Sequence, residues 1–497
     1  MSTRVRRGVV ILSILLMVIS LGELGLRLYG SFFSIGGSED PDAFHLYVIG
    51  GSTAEGVPYA PLSFGILVSA MFEGTLDGRP IVVHDLAVSG DTIYTQWVRF
   101  ERAVRARDGD VPGAVLIYSG HNDGAGDLGD DPASLGTRLE RSLCRSSALG
   151  LETSYWTRRL LRRSAADALD SYGTYLREVV DTAHGAGLTP FLSSVVSNLS
   201  DIEPSYETDD REGVRRALAE VAPLEEAGDC AAAGSALAGA LPEGRGKDAF
   251  GAYRLGRCLR RAGRHGPAMD AYWVAVDLDP RDVFGRATRL HNEIISRVGE
   301  EHGAQVVDAV GHFAQASPHG LIGDELFSDG QHPNLRGHLL LAVGFAEALS
   351  ARFDEPIRRR FEDAAEVHAA FPPEDPAFPF LHGGSWLLAV SFRHPWPMDR
   401  LRAAEARFRS ALALEPRSFT GWMGLGLARA GQSKPALLQS PEVIAQIDRW
   451  GGFTYHGFNV PLEELEALLE LLRSAGVEDD ILEGVAENHP ERRDREP

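Results

Sequence analysis

The chain has 497 residues and a formal net charge of −21. A chain of this length normally folds as two or three domains rather than around one core, and its 44% apolar content excludes a disordered protein. Its 70 acidic side chains outnumber the 49 basic ones, so bulk electrostatics disfavour nucleic acid as a partner.

The N-terminus predicts a membrane anchor. A basic start, MSTRVRR, precedes an uncharged stretch at Gly8–Gly22, and extension to Tyr29 gives the roughly 20 residues that a span needs. No small-x-small cleavage site follows, which favours an uncleaved anchor over the alternative, a cleavable signal peptide. The positive-inside bias keeps the basic end in the cytoplasm. We therefore expect residues 1–30 to form a single-pass anchor and the rest of the chain to be extracytoplasmic.

Strand-like and helix-like stretches alternate after the anchor. The strand-like ones are short and apolar: Phe44–Gly50, Pro80–Val88, Gly113–Gly120, Leu188–Val196 and Ala304–Val310. Amphipathic stretches with helical spacing separate them, and a last one, LRGHLLLAVGFAEALSARF, follows the fifth strand. This alternation predicts an α/β domain whose parallel sheet is covered by helices on both faces. The domain spans residues 44–205 and 283–353.

Residues 206–282 interrupt the alternation and are predicted to be helical. Residues there match a tetratricopeptide repeat, in which small residues let two antiparallel helices approach and proline ends the second. The matching positions are Leu255, Gly256, Ala268, Tyr272, Ala275 and Pro280. The same pattern returns at Ala404–Gln432, within a C-terminal helical region at 354–497. We predict repeat-like helical hairpins in both regions, with a protein partner as one use for them.

Metal and cofactor motifs are absent from the sequence. The three cysteines, Cys144, Cys230 and Cys258, have no CxxC or metal-ligand spacing, so we predict neither a structural zinc site nor a disulfide framework. The segment GGST lacks the Gly-Lys-Ser/Thr of a P-loop, and there is no G-x-G-x-x-G dinucleotide fingerprint. We therefore expect a chemistry that requires no cofactor.

Polar residues follow the predicted strands, at the edge where open α/β sheets place their sites. Ser52, Gly90 and Asn122 follow the first three strands in turn, and Asp329 and His332 precede the last helix. A serine nucleophile needs a base and the base needs an orienting acid, which His332 and Asp329 can supply from one turn. The backbone N–H groups of Ser52 and Gly90 and the side-chain amide of Asn122 are suitable donors to an oxyanion.

Each of these segments has a simpler interpretation when it is taken alone. GGST reads as a turn, SGDT as a helix N-cap and GHND as a loop. We expect His121, beside Asn122, to pack or to support the site, with substrate contact as the alternative. Asn198, after the fourth strand, is a further candidate to face the site. Three other histidines lack a partner in this scheme and are expected to be structural: His84, His291 and His338.

The blocks GGS, SGD, GHND and SDGQH resemble, in this order, the signature blocks of the SGNH hydrolases, the GDSL-type esterases. The resemblance covers most of residues 44–205 and 283–353. Within this superfamily, the chain resembles a membrane-anchored branch that carries tetratricopeptide-like helices. It implies a flavodoxin-like three-layer α/β/α sandwich, a triad of Ser52, Asp329 and His332, and an oxyanion hole at Ser52, Gly90 and Asn122. The first block is Gly-Gly-Ser rather than Gly-Asp-Ser, and the second lacks the common asparagine. The missing aspartate is not a triad member, so the departure weakens the motif more than the mechanism.

The leading hypothesis is a serine ester hydrolase that acts on an acyl ester, such as an acetylated carbohydrate or a lipid, outside the cytoplasm. One alternative keeps the site but passes the acyl group to a cell-surface glycan, as an O-acyltransferase. Another is a membrane-tethered repeat scaffold with a non-catalytic SGNH domain. The sequence does not choose the acyl group or the acceptor.

Overall fold

The structure is a computed structural model of the chain. It describes residues 40–105, 111–123, 172–279, 285–392, 394–450 and 458–493. Among these residues, none of the helices has both the length and the apolar character that a membrane crossing requires. The predicted anchor at 1–30 lies outside the described residues and stays a prediction.

The described residues form a six-stranded sheet in the order β2-β3-β1-β4-β5-β6. Its strands are β1 (Phe44–Gly50), β2 (Thr75–Leu76), β3 (Arg79–Asp85), β4 (Gly113–Tyr118), β5 (Thr189–Ser193) and β6 (Gln305–Val307). The five predicted strands pair in parallel, in the doubly wound order of a flavodoxin-like sheet. The prediction of an all-parallel sheet is wrong at one edge, where β2 pairs antiparallel with β3. Two residues are too few to show a strand periodicity, so the sequence gives no sign of β2.

Helices cover both faces of the sheet. Those of the first segment are α1 (Ser52–Glu55), α2 (Phe64–Met71), α3 (Ile93–Arg105) and α4 (Tyr172–Gly185). In α3 the apolar residues Ile93, Trp97 and Phe100 recur at helical spacing and are all buried. Helix α3 packs on α4 over one face, whereas α2 lies on the other.

The inserted segment consists of two helical hairpins. Its helices are α5 (Arg211–Glu226), α6 (Cys230–Ala240), α7 (Lys247–Arg261) and α8 (His265–Asp277). Gly256 of α7 lies against the Tyr272 ring of α8, and a β-carbon added there would be 2.8 Å from that ring. The small residue thus permits the close approach that the repeat pattern requires, although the repeat assignment itself stays a prediction.

A disulfide joins Cys230 of α6 to Cys258 of α7. The prediction that the cysteines make no disulfide framework did not anticipate this single pair, and Cys144 lies outside the described residues. The two cysteines are separated by 28 positions without a recognisable motif. They become neighbours only when the hairpins fold, which brings their Cα atoms within 5.6 Å.

The chain then returns to the sheet. The helices of this segment are α9 (Arg289–His302), α10 (Ala309–Ala316) and α11 (Leu335–Phe353). Helix α9 packs beside α4, and α11 lies beside α2 on the opposite face. There the Phe64 and Phe345 rings stack with centroids 4.9 Å apart. The described elements thus form the three layers of an α/β/α sandwich.

The C-terminal region is helical and has a hydrophobic cluster of its own. Its helices are α12 (Ala364–Ala370), α13 (Phe378–Ser391), α14 (Met398–Leu414), α15 (Phe419–Ser433), α16 (Pro435–Leu438), α17 (Pro441–Arg449), α18 (Leu462–Ser474), α19 (Asp479–Glu487) and α20 (Pro490–Arg493). The Phe408 ring of α14 fills the space over Gly384 of α13 and Gly424 of α15. These three helices therefore pack closely because glycine faces the aromatic ring on each side.

Candidate active site

Ser52 lies at the carboxyl end of β1, the strand between β3 and β4. The strand ends at Gly50, and Ser52 is the first residue of the short helix α1. A β-carbon at Gly50 would lie 2.3 Å from Cβ of Ala54 and 2.4 Å from the carbonyl oxygen of Tyr118. Glycine is therefore needed for the chain to turn here, and Ser52 after the turn is only 8% exposed.

The structure brings Ser52, His332 and Asp329 together. Nε2 of His332 lies 2.8 Å from Oγ of Ser52, across 280 positions of sequence. Nδ1 of the same ring lies 2.7 Å from Oδ2 of Asp329. An ionised carboxylate only accepts hydrogen bonds, so Nδ1 carries the proton in neutral His332. Nε2 is then the acceptor, facing the serine hydroxyl.

The carboxylate of Asp329 is fully buried, and both of its oxygens accept hydrogen bonds. Its Oδ1 accepts the backbone N–H groups of Gln331 at 2.9 Å and His332 at 2.8 Å, while Oδ2 binds the imidazole. Burial alone would raise the pKa of Asp329, but the His332 ring and these hydrogen bonds outweigh it and hold the pKa below its usual range. Asp329 is therefore ionised at neutral pH and fixes the imidazole orientation.

The Asn122 side chain lies against Gly51, the residue before Ser52. A β-carbon at Gly51 would be 2.5 Å from Nδ2 of Asn122. One hydrogen of that amide is donated to the carbonyl of Asp91 at 3.0 Å, which leaves the second hydrogen for another acceptor. The glycine that replaces aspartate in the first block is thus the position where a side chain would displace Asn122.

The other two predicted oxyanion donors are backbone groups. Ser52 begins α1, so its N–H has no acceptor within the helix. Gly90 has a φ of +81°, which favours glycine, and the place of a β-carbon there is empty to 4 Å. Its neighbour Ser89 donates its N–H and its hydroxyl to Oε2 of Glu55 at 2.8 and 2.5 Å. Glu55, which the sequence reasoning missed, therefore ties the Gly90 turn to the helix that begins with Ser52.

His121 and Asn198 contact a residue next to the serine and the loop of the triad acid, respectively. The His121 ring contacts Oγ1 of Thr53 at 3.4 Å and the carbonyl of Val196 at 3.1 Å. Asn198 donates to the side chain of Asp324 at 2.8 Å and to the carbonyl of Asp329 at 3.4 Å. Both side chains are buried and bridge strand-end loops. Their contacts are those of supporting residues.

Two of the three histidines expected to be structural have structural contacts, and the third is buried. Nε2 of His84 lies 2.8 Å from Nδ1 of His45, and its ring stacks on Tyr47. His291 forms a capping box with Thr288 at the start of α9. His338 is fully buried in α11, and burial lowers its pKa to about 4.

The C-terminal helix α13 packs directly on the triad loop, which sequence reasoning missed. The ring of His382 meets His332 edge to face, with centroids 5.9 Å apart, and burial lowers the pKa of His382 to about 4. Gly330 of the loop lies under the Trp386 ring, and a β-carbon added to Gly330 would be 3.3 Å from that ring. No local sequence motif predicts this contact, because helices α11 and α12 separate α13 from the loop in the sequence.

Comparison with known proteins finds similarity only in solved structures: no family model and no curated protein matches the chain. One similar structure is a catalytic mutant of an acetylxylan esterase from Geobacillus stearothermophilus, with 15% identity, a TM-score of 0.31, and coverage of 63% of this chain and 95% of that one. Another is a member of the lipolytic G-D-S-L family from Veillonella parvula, with 12% identity, a TM-score of 0.30, and coverage of 61% and 97%. A third is a GDSL-like lipase from Bacteroides thetaiotaomicron, with 10% identity, a TM-score of 0.30, and coverage of 66% and 98%.

Proposed function

We propose that the chain is a serine ester hydrolase of the SGNH type. The observation that carries this proposal is the continuous hydrogen-bonded series from Oγ of Ser52 through His332 to Asp329, with distances of 2.8 and 2.7 Å. A nucleophile within reach of a base, which a buried carboxylate orients in turn, is the arrangement that acyl transfer requires.

Attack on the ester begins at Ser52. Its Oγ bonds to the carbonyl carbon while Nε2 of His332 takes the hydroxyl proton, and the tetrahedral intermediate carries a negative oxygen. His332 then returns the proton to the leaving alcohol as the C–O bond breaks, which leaves an acyl group on Ser52. Water, activated by the same imidazole, attacks the acyl enzyme and releases the acid. Asp329 stays ionised throughout and stabilises the imidazolium form of His332.

The negative oxygen of the intermediate is stabilised by hydrogen-bond donors near the serine. The N–H of Ser52, the N–H of Gly90 and the second amide hydrogen of Asn122 are the donors of this oxyanion hole. A single donor of this kind contributes roughly 10²- to 10³-fold to kcat. Glu55 supports the hole indirectly because it fixes Ser89, beside Gly90.

The substrate is an acyl ester outside the cytoplasm, such as an acetylated carbohydrate or a lipid. Two features support this location. The predicted anchor at 1–30 would place the domain on the extracytoplasmic side of the membrane. The Cys230–Cys258 disulfide is typical of oxidising compartments. The scaffold alternative requires Ser52 and His332 to lie apart, and their 2.8 Å contact weighs against it.

Hydrolysis of p-nitrophenyl acetate by purified wild-type protein and by Ser52→Ala tests the proposal. Wild-type protein should release nitrophenolate with saturation kinetics. The variant should lose at least about 10³-fold in kcat, because the nucleophile is absent, while its circular dichroism stays unchanged. Turnover that survives in Ser52→Ala would rule out this site.

A further inference from the structure

The segment at 324–332, here called the histidine loop, carries both Asp329 and His332. Its backbone carbonyls meet a side chain from the C-terminal region. Arg407 of α14 donates from Nη2 to the carbonyl of Phe327 at 2.6 Å and to that of Asp324 at 3.2 Å. Its Nε donates to the carbonyl of Ser328 at 3.2 Å. One guanidinium thus binds three carbonyls of the loop.

The guanidinium suits this task for a chemical reason. Its donors lie in a rigid plane, so a single side chain can hold several acceptors in fixed relative positions, which a lysine ammonium on a flexible stem cannot do as well. The Arg407 side chain is only 18% exposed, so water competes weakly for these bonds. The next residue after Ser328 is the triad acid, and the bonds therefore end directly beside it.

Two further contacts bind the same helical region to the strand-end loops. Gly383 of α13 lies against the carbonyl of Ser328, and a β-carbon there would be only 2.7 Å from that oxygen. At the start of α14, the buried carboxylate of Glu203 accepts the N–H groups of Asp399 at 2.6 Å and Arg400 at 3.0 Å. Glu203 lies in the same segment after β5 as Asn198, and Asn198 donates hydrogen bonds to the histidine loop. The C-terminal region thus contacts the histidine loop directly and also through its neighbouring loop.

We propose that Arg407 is a positioning residue for the triad, and that the C-terminal helical region is required to hold His332 at Ser52. The proposal rests on the function proposed above and gives the C-terminal region a task in it. Geometry decides the size of the effect, since a misplacement of about 1 Å at a catalytic group can cost roughly 100-fold in rate.

Hydrogen exchange at the histidine loop tests the positioning without reference to turnover. In wild-type protein the amides of Ser328, Gln331 and His332 are hydrogen-bonded within the loop, to His332 and Asp329, and should exchange slowly. Arg407→Met should speed their exchange about tenfold or more. Arg409→Met is the matched control, because Arg409 lies on the same helix but pairs with Glu405 of that helix at 3.0 Å. Equal exchange in wild-type, Arg407→Met and Arg409→Met proteins would overturn the proposal.

Kinetics on p-nitrophenyl acetate supply the second readout. Arg407→Met should lower kcat by roughly 10- to 100-fold and leave KM within about threefold, since the loop aligns the base rather than binding the ester. Arg407→Lys should recover part of the loss, and Arg409→Met should match wild type. If Arg407→Met does not fold, Gly383→Ala takes its place, because its new methyl group pushes on the carbonyl of Ser328. Folded Arg407→Met or Gly383→Ala protein with wild-type kcat would overturn the proposal.

The two readouts separate this proposal from the proposed function. If wild-type protein has no esterase activity but Arg407→Met still loosens the loop, the function fails and the positioning of the loop stands. If wild-type protein is active and the exchange of Arg407→Met is unchanged, the function stands and the positioning role fails.

Discussion

The two halves of the candidate site are held in different ways. The nucleophile half, formed by Ser52, Gly90 and Asn122, rests on short contacts between strand ends: Gly51 against Asn122, and Glu55 on Ser89. The acid–base half rests on a buried loop that residues from distant parts of the chain hold in place, Asn198 on one side and Arg407 on the other. The first half is held by close contacts at glycine and by hydrogen bonds between neighbouring strand-end segments, whereas the second is held by hydrogen bonds from residues farther away in the sequence.

This difference predicts how substitutions in each half should affect the site. A change in the nucleophile half should remove a donor or displace it, with little effect on the loop. A change in the acid–base half should alter the imidazole without touching the oxyanion hole. Variants that act on one half alone therefore separate the two contributions.

The largest effect in this comparison is expected for Asp329→Asn, in the acid–base half. The amide keeps the shape of the side chain but presents no charge to Nδ1, so the wrong imidazole tautomer is favoured. By analogy with serine proteases, kcat should fall about 10⁴-fold. Steady-state kinetics on p-nitrophenyl acetate measure it, with Asp229→Asn as the control because Asp229 caps helix α6 of the inserted segment, where it accepts the N–H of Ala232. A kcat within tenfold of wild type would show that Asp329 does not orient the base.

In the nucleophile half, Asn122→Ala should lower kcat by roughly 10²- to 10³-fold, because one oxyanion donor is lost. KM should change little, since the donor acts mainly on the transition state. Asn488→Ala, in the C-terminal region, is a control for the loss of an asparagine amide. An unchanged kcat in Asn122→Ala would place the oxyanion elsewhere.

A smaller loss is expected for Gly51→Ala. The new methyl group would lie 2.5 Å from Nδ2 of Asn122 and must push that amide aside. We expect kcat to fall about tenfold with the fold intact, since only the end of one side chain has to move. Gly185→Ala is the control, because the corresponding space there is empty. Wild-type kinetics in Gly51→Ala would mean that Asn122 does not depend on the glycine.

The smallest effect on activity at neutral pH is expected for substitutions of His338 and His382. These two histidines should instead make stability depend on pH. The folded protein holds both with a pKa of about 4, against 6.5 for an ordinary histidine. As pH falls from 6.5 to 4 the unfolded chain binds protons first, so stability present above pH 6.5 is progressively lost. The loss by pH 5 is about 2 kcal/mol per histidine.

Urea unfolding at pH 7 and pH 5 measures this acid sensitivity. His382→Gln should lose less stability between the two pH values than wild type does, whereas His368→Gln, at an exposed position, should behave as wild type. If His382→Gln and wild type show the same loss, the buried imidazole of His382 does not carry the effect.

Much of the sheet and the nucleophile half could be predicted from the sequence. The five parallel strands are near-continuous apolar runs, and Ser52, Gly90 and Asn122 directly follow three of them in chain order. Parallel strands bring such positions to one edge, so local pattern is enough to predict that they meet.

The contacts of the acid–base half could not be predicted in the same way. Asp329 and His332 are recognisable by their spacing, but Arg407 and His382 contact the loop that carries them from helices with a separate core. Nothing in the pattern around Arg407 distinguishes it from Arg409, which pairs with Glu405 of its own helix. The Cys230–Cys258 pair and the short strand β2 were missed for the same reason: each depends on tertiary neighbours rather than on local sequence.

In the proposed mechanism, His332 activates Ser52. Labelling with a fluorophosphonate probe tests it most directly, since the probe reacts with an activated serine whatever the natural ester is. We predict one phosphonyl group per wild-type chain, which mass spectrometry locates on Ser52, and no labelling of Ser52→Ala under the same conditions. A wild-type protein that stays unlabelled, or a label located on another residue, would show that His332 does not activate Ser52.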